Sequence, residues 1–143
     1  MRHLWMAMGL AALLLASPGV AQTQEYQVVV HEANPSSNVT ADEISRMFMK
    51  RTTRWADGGS VVPVDLAGNS ETRDAFSQAV HGRSVSAIKA YWQRQIFSGR
   101  GFPPEEMGSD TAVLAFVRNN PGAIGYVASG TSVGDGVKVL NVN

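Results

Sequence analysis

The stretch Pro121-Gly122-Ala123-Ile124-Gly125-Tyr126-Val127 decides how this chain is read. Pro-Gly stops whatever helix precedes it, and the apolar run that follows is too short for a helix and suits a buried strand. Immediately upstream, Ser109 or Asp110 caps a helix that carries Val113, Leu114, Phe116 and Val117. Downstream, Val137-Lys138-Val139-Leu140-Asn141-Val142 reads as a last strand. A helix thus turns directly into a strand, the signature of layered α/β architecture.

The rest of the chain repeats that alternation. Gln27 to His31 is a β-branched run expected to be a strand, and Asn34-Pro35-Ser36-Ser37-Asn38 breaks it. Thr40-Ala41-Asp42-Glu43 has the spacing of a capping box. The helix it opens places Ile44, Met47 and Phe48 on one face, with Arg46 and Lys50 opposite. Asp57-Gly58-Gly59 is a turn, and Val61 to Val64 is a second strand whose Pro63 points to an edge or end position. A polar bend, Asp65 to Ser70, leads into a helix from about Glu71 to Val80, closed by a left-handed cap at Gly82. Ser84 caps a further helix with Val85, Ile88, Tyr91, Trp92, Gln95 and Ile96 at helical spacing, and Gly99 to Pro104 is loop. Apolar strands interleaved with helices imply an α/β fold: a mainly parallel sheet flanked by helices.

The first residues read as an address. Arg2 and His3 precede an uncharged apolar run from Leu4 to Ala16, and Pro18, Gly19 and Ala21 follow. That order is a secretory signal peptide over residues 1–21, cleaved after about Ala21; the run is short of the roughly 20 apolar residues that span a bilayer. The expected location is periplasmic, with residues 22–143 forming one α/β domain. Lys and Arg number 12, as do Asp and Glu, so no general charge attracts nucleic acid. With no cysteine, packing alone holds the core, and no lipid attachment at a cysteine is available.

Four segments match a known family in order and spacing. They are Val28 to Val30; Ala41 to Ile44 through Met47-Phe48 to Trp55; Val61 to Val64 through Ser70-Glu71-Thr72 to Phe76; and Val113 through Phe116-Val117 to the Pro121–Val127 run. Together they resemble the second lobe of the periplasmic phosphate-binding proteins of ABC transporters, a type II periplasmic-binding-protein fold. The resemblance implies a non-enzymatic binding protein whose ligand is phosphate or a similar oxyanion. The family's phosphate loop runs Arg-Ser-Asp-Gly-Ser-Gly-Thr, and here the aligned residues are Leu66-Ala67-Gly68-Asn69-Ser70-Glu71-Thr72. Ser70 and Thr72 match; the arginine and aspartate positions hold Leu66 and Gly68. A second lobe is not expected within these 143 residues, so clamshell closure on a ligand by a monomer is not expected either.

The candidate site is therefore Asn69, Ser70, Thr72 and Arg73, after a strand and at a helix N-terminus, where unpaired amides and the helix dipole favour an anion. Arg73 would supply positive charge from one turn in, while Glu71 opposes it. The competing reading is that Asn69 or Ser70 simply caps the helix. Arg46, Lys50, Arg51 and Arg54 beside Trp55 form a basic cluster, read either as a contact for an acidic partner or as a solvated helix end. His31 and His81 lack the partners of a zinc site, so no metal or cofactor is expected. Asp42/Glu43 and Glu105/Glu106 are sequence neighbours, poorly placed to converge on one substrate, and no nucleophile elbow or Walker loop is present. Tyr91-Trp92 with Ile96-Phe97 reads as core, or as a surface for a homodimer or an envelope transporter or receptor partner. Asn38-Val39-Thr40 fits a glycosylation sequon, although capping already explains Thr40. The alternative function is a protein-interaction module that kept the fold and lost the ligand.

Overall fold

Alternation along one strand sets the architecture. In the computed structural model, which describes residues 24–143, the run after Pro121-Gly122 is strand β5, Ala123–Ala128. Successive strand residues face opposite sides of a sheet. Gly125 faces helix α4 (Asp110–Asn119), and a Cβ there would stand 2.7 Å from Val113 Cγ1 and 3.0 Å from Val64 Cγ2. Tyr126 faces the other side and stacks on Phe76, ring centroids 3.7 Å apart and planes 6° from parallel. Phe76 ends helix α2 (Glu71–Phe76). One glycine and one aromatic, adjacent in sequence, therefore seat helices on the two faces of the sheet.

The remaining elements are strand β1 (Tyr26–His31), β2 (Asn38–Val39), α1 (Ala41–Phe48), β3 (Val62–Leu66), α3 (Val85–Phe97), β4 (Glu105–Met107), β6 (Val137–Val139) and β7 (Asn141–Val142). The main sheet has the order β4-β3-β5-β1-β6. β3 pairs in parallel with β4 and β5, and β1 pairs antiparallel with β5 and β6. Four of the five strands run the same way and β1 alone opposes them, so the expected α/β fold with a mainly parallel, helix-flanked sheet holds. Val28, Val29 and Val30 of β1 are all buried, as a strand covered on both faces requires. β2 and β7 form a separate parallel pair.

Local chemistry explains most boundaries. Thr40 Oγ1 accepts from the Glu43 amide while the Glu43 carboxylate accepts from the Thr40 amide, the full capping box. Pro63 takes the end position of the two anticipated. β3 is an interior strand, but β4 pairs with it only from Val64 onward, so the proline leaves no ladder bond unmade on that side. After Phe76 the helix loosens into a π turn, Ser77–His81, and Gly82 closes it in the left-handed conformation, φ 64°. Gly122 also earns its place: a Cβ would occupy the Ser60 carbonyl, and the Gly122 oxygen accepts from both the Trp55 indole N–H and the Val62 amide.

The layer over the Tyr126 face is aromatic. Phe48 lies 4.9 Å from Phe76 and 5.8 Å from Tyr126, and Tyr26 meets Phe76 edge-on at 5.5 Å. Such pairs contribute about 0.5–1.5 kcal/mol each beyond the area they bury.

Two expectations need correction, and one strand adds to those read from the sequence. Val137 to Val142 is two strands, because the chain leaves the main sheet at Leu140, whose amide donates to Val28, and pairs with β2 instead. Glu105–Met107, lacking β-branched residues, is nevertheless a strand, held by the register Val64↔Glu105 to Leu66↔Met107. The α3 stripe is only half core: Val85, Ile88 and Trp92 are buried, whereas Ile96 is 45% and Phe97 96% exposed.

Candidate functional site

The carboxyl ends of β3 and β4 and the start of α2 meet at the loop Ala67–Ser70, where open α/β sheets collect ligands. The loop is pinned by two backbone bonds, Ala67 amide to Met107 oxygen at 2.9 Å and Ser70 amide to Ala67 oxygen at 3.0 Å. Ser70 is the N-cap, its hydroxyl accepting from the Arg73 amide at 3.3 Å. The amides of Glu71 and Thr72 make no hydrogen bond within the described residues, as the first turn of any helix dictates. Asn69 is exposed and Thr72 half-buried, and neither side chain has a hydrogen-bond partner among the described residues.

Arg73 behaves differently from the expectation that it would face the loop. Its side chain turns inward and is buried. Nη1 donates to the Leu66 carbonyl at 3.0 Å and to Glu106 Oε1 at 2.6 Å, and Nη2 lies 3.8 Å from Asp65 Oδ2. Tyr126 donates from its hydroxyl to Asp65 Oδ1 at 2.7 Å and accepts from the Leu66 amide at 3.2 Å. Four side chains from β3, α2, β4 and β5 thus form one satisfied polar network under the loop. Burial raises the Asp65 carboxyl above its usual range, against the pull of Arg73 and the Tyr126 hydrogen bond. Burial also works against the Arg73 charge, but Asp65 and Glu106 outweigh it and push its pKa up. Tyr126 is pushed well above the usual phenol range by burial and then by Asp65. Ser70 and Arg73 have structural partners, and Asn69 and Thr72 are the candidate residues with open side chains.

Sequence reasoning missed the cation that does reach the loop. Lys89, on α3, holds its ammonium in the space a Cβ on residue 68 would fill, with Arg73 Nη1 3.8 Å from the same point. Gly68 is therefore the residue that lets a lysine from another helix lie on the loop. No local pattern links positions 68 and 89, so only the tertiary fold reveals the pair.

The other candidates separate clearly. His31 Nδ1 accepts from the Ala33 amide at 3.0 Å, a strand-end role. In the basic cluster, Arg46 pairs with Asp42 at 2.9 Å on the exposed helix face and Arg54 donates to the Gly58 carbonyl. Lys50 lies past the end of α1 with φ 56°, and Trp55 is buried in the main core while its edge lines a shallow recess shared with Arg46 and Arg54. Glu105 and Glu106 are consecutive on a strand and diverge, with only Glu106 reaching Arg73. Asn38 bonds to Asn141 across the β2–β7 pair at 3.1 Å.

No family model and no curated protein matches the chain. Solved structures do. A protein from Clostridium perfringens assigned as a phosphate ABC transporter substrate-binding protein, solved with phosphate bound, is 21% identical with a TM-score of 0.62; the match covers 82% of this chain and 44% of that one. An ABC-type phosphate transport receptor from Vibrio cholerae is 19% identical with a TM-score of 0.65, covering 82% and 46%. PstS from Borrelia burgdorferi is 17% identical with a TM-score of 0.59, covering 83% and 47%. The chain has the fold of one lobe of these binding proteins and spans less than half of their length.

Proposed function

We propose that this chain is an exported, non-enzymatic binding module that takes phosphate or a similar small oxyanion at the loop Asn69–Arg73. The observation that carries the reading is Lys89 over Gly68, a cation set against unpaired amides of Glu71 and Thr72 at the carboxyl end of β3. A charge-assisted bond from an ammonium and backbone donors at a helix start is a common way to hold an oxyanion. The C. perfringens relative, solved with phosphate bound, supports the ligand class. The basic and apolar order of residues 2–21 supports export to the periplasm. Arg73 contributes by fixing the loop through the Leu66 carbonyl, and Ser70 by capping the helix on which the amides sit. Among the described residues no helix is long and apolar enough to cross a membrane.

Calorimetric titration with inorganic phosphate and sulfate tests this. Saturable heat is expected, weakened about tenfold in Lys89→Gln, the size of one lost charge-assisted contact. An isotherm unchanged in Lys89→Gln, or no heat at millimolar anion, would sink the loop as the site.

A second reading has its own observation. Phe97 at 96%, Phe102 at 71% and Ile96 at 45% exposure form apolar surface at and beyond the end of α3. Scattered apolar residues are ordinary, but three large ones in seven positions suit a protein partner or a second copy of the chain. Sedimentation velocity across a concentration range should then show association that Phe97→Ser abolishes, and a sedimentation coefficient independent of concentration excludes the second copy.

A further inference from the structure

A second polar recess lies at the opposite end of the α2 helix from the loop. It has a volume of about 180 Å³ and is lined by Ser45, Met49, Arg51, His81, Arg83 and Ile88. We infer that this recess is an oxyanion-binding site in its own right, in which Arg51 and Arg83 clamp a small anion against the Ser45–His81 pair.

Charge carries the argument first. The lining includes two arginines and no acidic residue, and neither arginine has an acidic partner within 4.0 Å among the described residues. Arg46 and Arg73 do have such partners, so the two lining arginines are set apart from those committed to structure. Both stand on fixed turns. The Arg51 amide donates to the Arg46 carbonyl at 2.8 Å behind the left-handed Lys50, and Ser77 Oγ donates to the Arg83 carbonyl at 2.7 Å beside the left-handed Gly82. Fixed backbones reduce the ordering cost of a two-arginine clamp.

The Ser45–His81 pair supplies a proton donor. Ser45 Oγ and His81 Nδ1 are 2.8 Å apart. The imidazole is held edge-on against Phe76 at 5.6 Å and Phe48 at 6.5 Å. Burial, then the charges of Arg73 and Arg83, lower its pKa to about 4, so it is neutral at physiological pH. A neutral imidazole and a hydroxyl have one N–H and one O–H between them, and their mutual bond uses one. Either tautomer leaves one donor over, which an anion beside the arginines accepts. The π turn Ser77–His81 is what delivers the imidazole to this position, and such turns are frequent at functional sites. Size limits the ligand: the recess falls below the roughly 300–1,000 Å³ of sites for drug-sized molecules, so it suits phosphate, sulfate or a short carboxylate and not a nucleotide.

The test is a titration of the full chain, isotopically labelled, with inorganic phosphate and with sulfate, followed by NMR at His81 and Ser45. Saturable shifts at both residues are expected, with the His81 titration midpoint moved upward by the bound negative charge. Arg83→Gln and Arg51→Gln should each weaken the apparent affinity about tenfold, with Arg83→Lys retaining part of it; Lys89→Gln should leave it unchanged. Both arginines are exposed, so the variants are expected to keep the wild-type spectrum elsewhere. Perturbation confined to residues 68–73, or a His81 shift that rises linearly and is reproduced by chloride, would overturn the site while leaving the loop proposal intact.

Discussion

Two groups of arginines mark the two ends of the α2 helix and its π turn, and they have opposite fates. Arg73, at the start, is enclosed with Asp65, Glu106 and Tyr126, and no fully buried side-chain polar atom of that group lacks a partner. Arg51 and Arg83, at the other end, share a recess with Ser45 and His81 and have no acidic neighbour among the described residues. The difference teaches where charge is available. A buried guanidinium ringed by its own carboxylates holds strands and helix in register but presents little to a ligand. An exposed pair without counter-ions does the reverse.

Variants that break this contrast should rank by how deeply they reach into the enclosed group. Arg73→Ala leaves Asp65 and Glu106 uncompensated, and loss of one partner from a buried ion pair costs about 3–5 kcal/mol; a urea midpoint close to wild type would mean the network is not structural. Tyr126→Phe removes the donor to Asp65 and the acceptor for the Leu66 amide, so a loss of about 1–3 kcal/mol is expected in the same assay. Acidification should act through His81. Its folded pKa, about 4, lies below the ordinary 6.5 of a free imidazole, so the neutral form stabilises the fold above pH 6.5 and that contribution fades as pH falls toward 4. After allowance for partial solvent screening the loss is on the order of 1–2 kcal/mol, and His81→Phe should flatten that part of the stability–pH profile. Arg51→Gln and Arg83→Gln should change stability least, within about 0.5 kcal/mol. A larger loss would move these arginines into the structural class.

The same contrast shows what a linear reading can reach. The capping box at Thr40, the left-handed Gly82 and the Pro121–Val127 turn into β5 are local chemistry, and the sequence carries them openly. The α/β class and the likeness to a phosphate-binding lobe follow from those elements in order. β4 was invisible because Glu105-Glu106-Met107 has no strand propensity of its own; its neighbour β3 imposes the conformation. The split at Leu140 depends on where β2 lies, which is a tertiary fact. In the site, Ser70 was legible as a cap, but the direction of the Arg73 side chain was not, since it depends on Glu106 arriving from a strand 33 positions later. Lys89 over Gly68 was equally hidden.

The described residues contain two tryptophans, and they lie in different hydrophobic clusters. Trp55 belongs to the main core and bonds to Gly122, whereas Trp92 packs with Met49 and Ile88 in a small satellite beneath α3. Helix α3 carries Lys89 to the loop and Ile88 to the recess, yet its own attachment is the lesser of the two clusters. Sub-global opening starts where buried contact is thinnest. Intrinsic fluorescence therefore gives the described fold two separable emitters: with Trp5 replaced by Phe throughout, Trp55→Phe and Trp92→Phe each leave one reporter, and detachment of α3 and dissolution of the sheet become distinguishable events in one unfolding experiment.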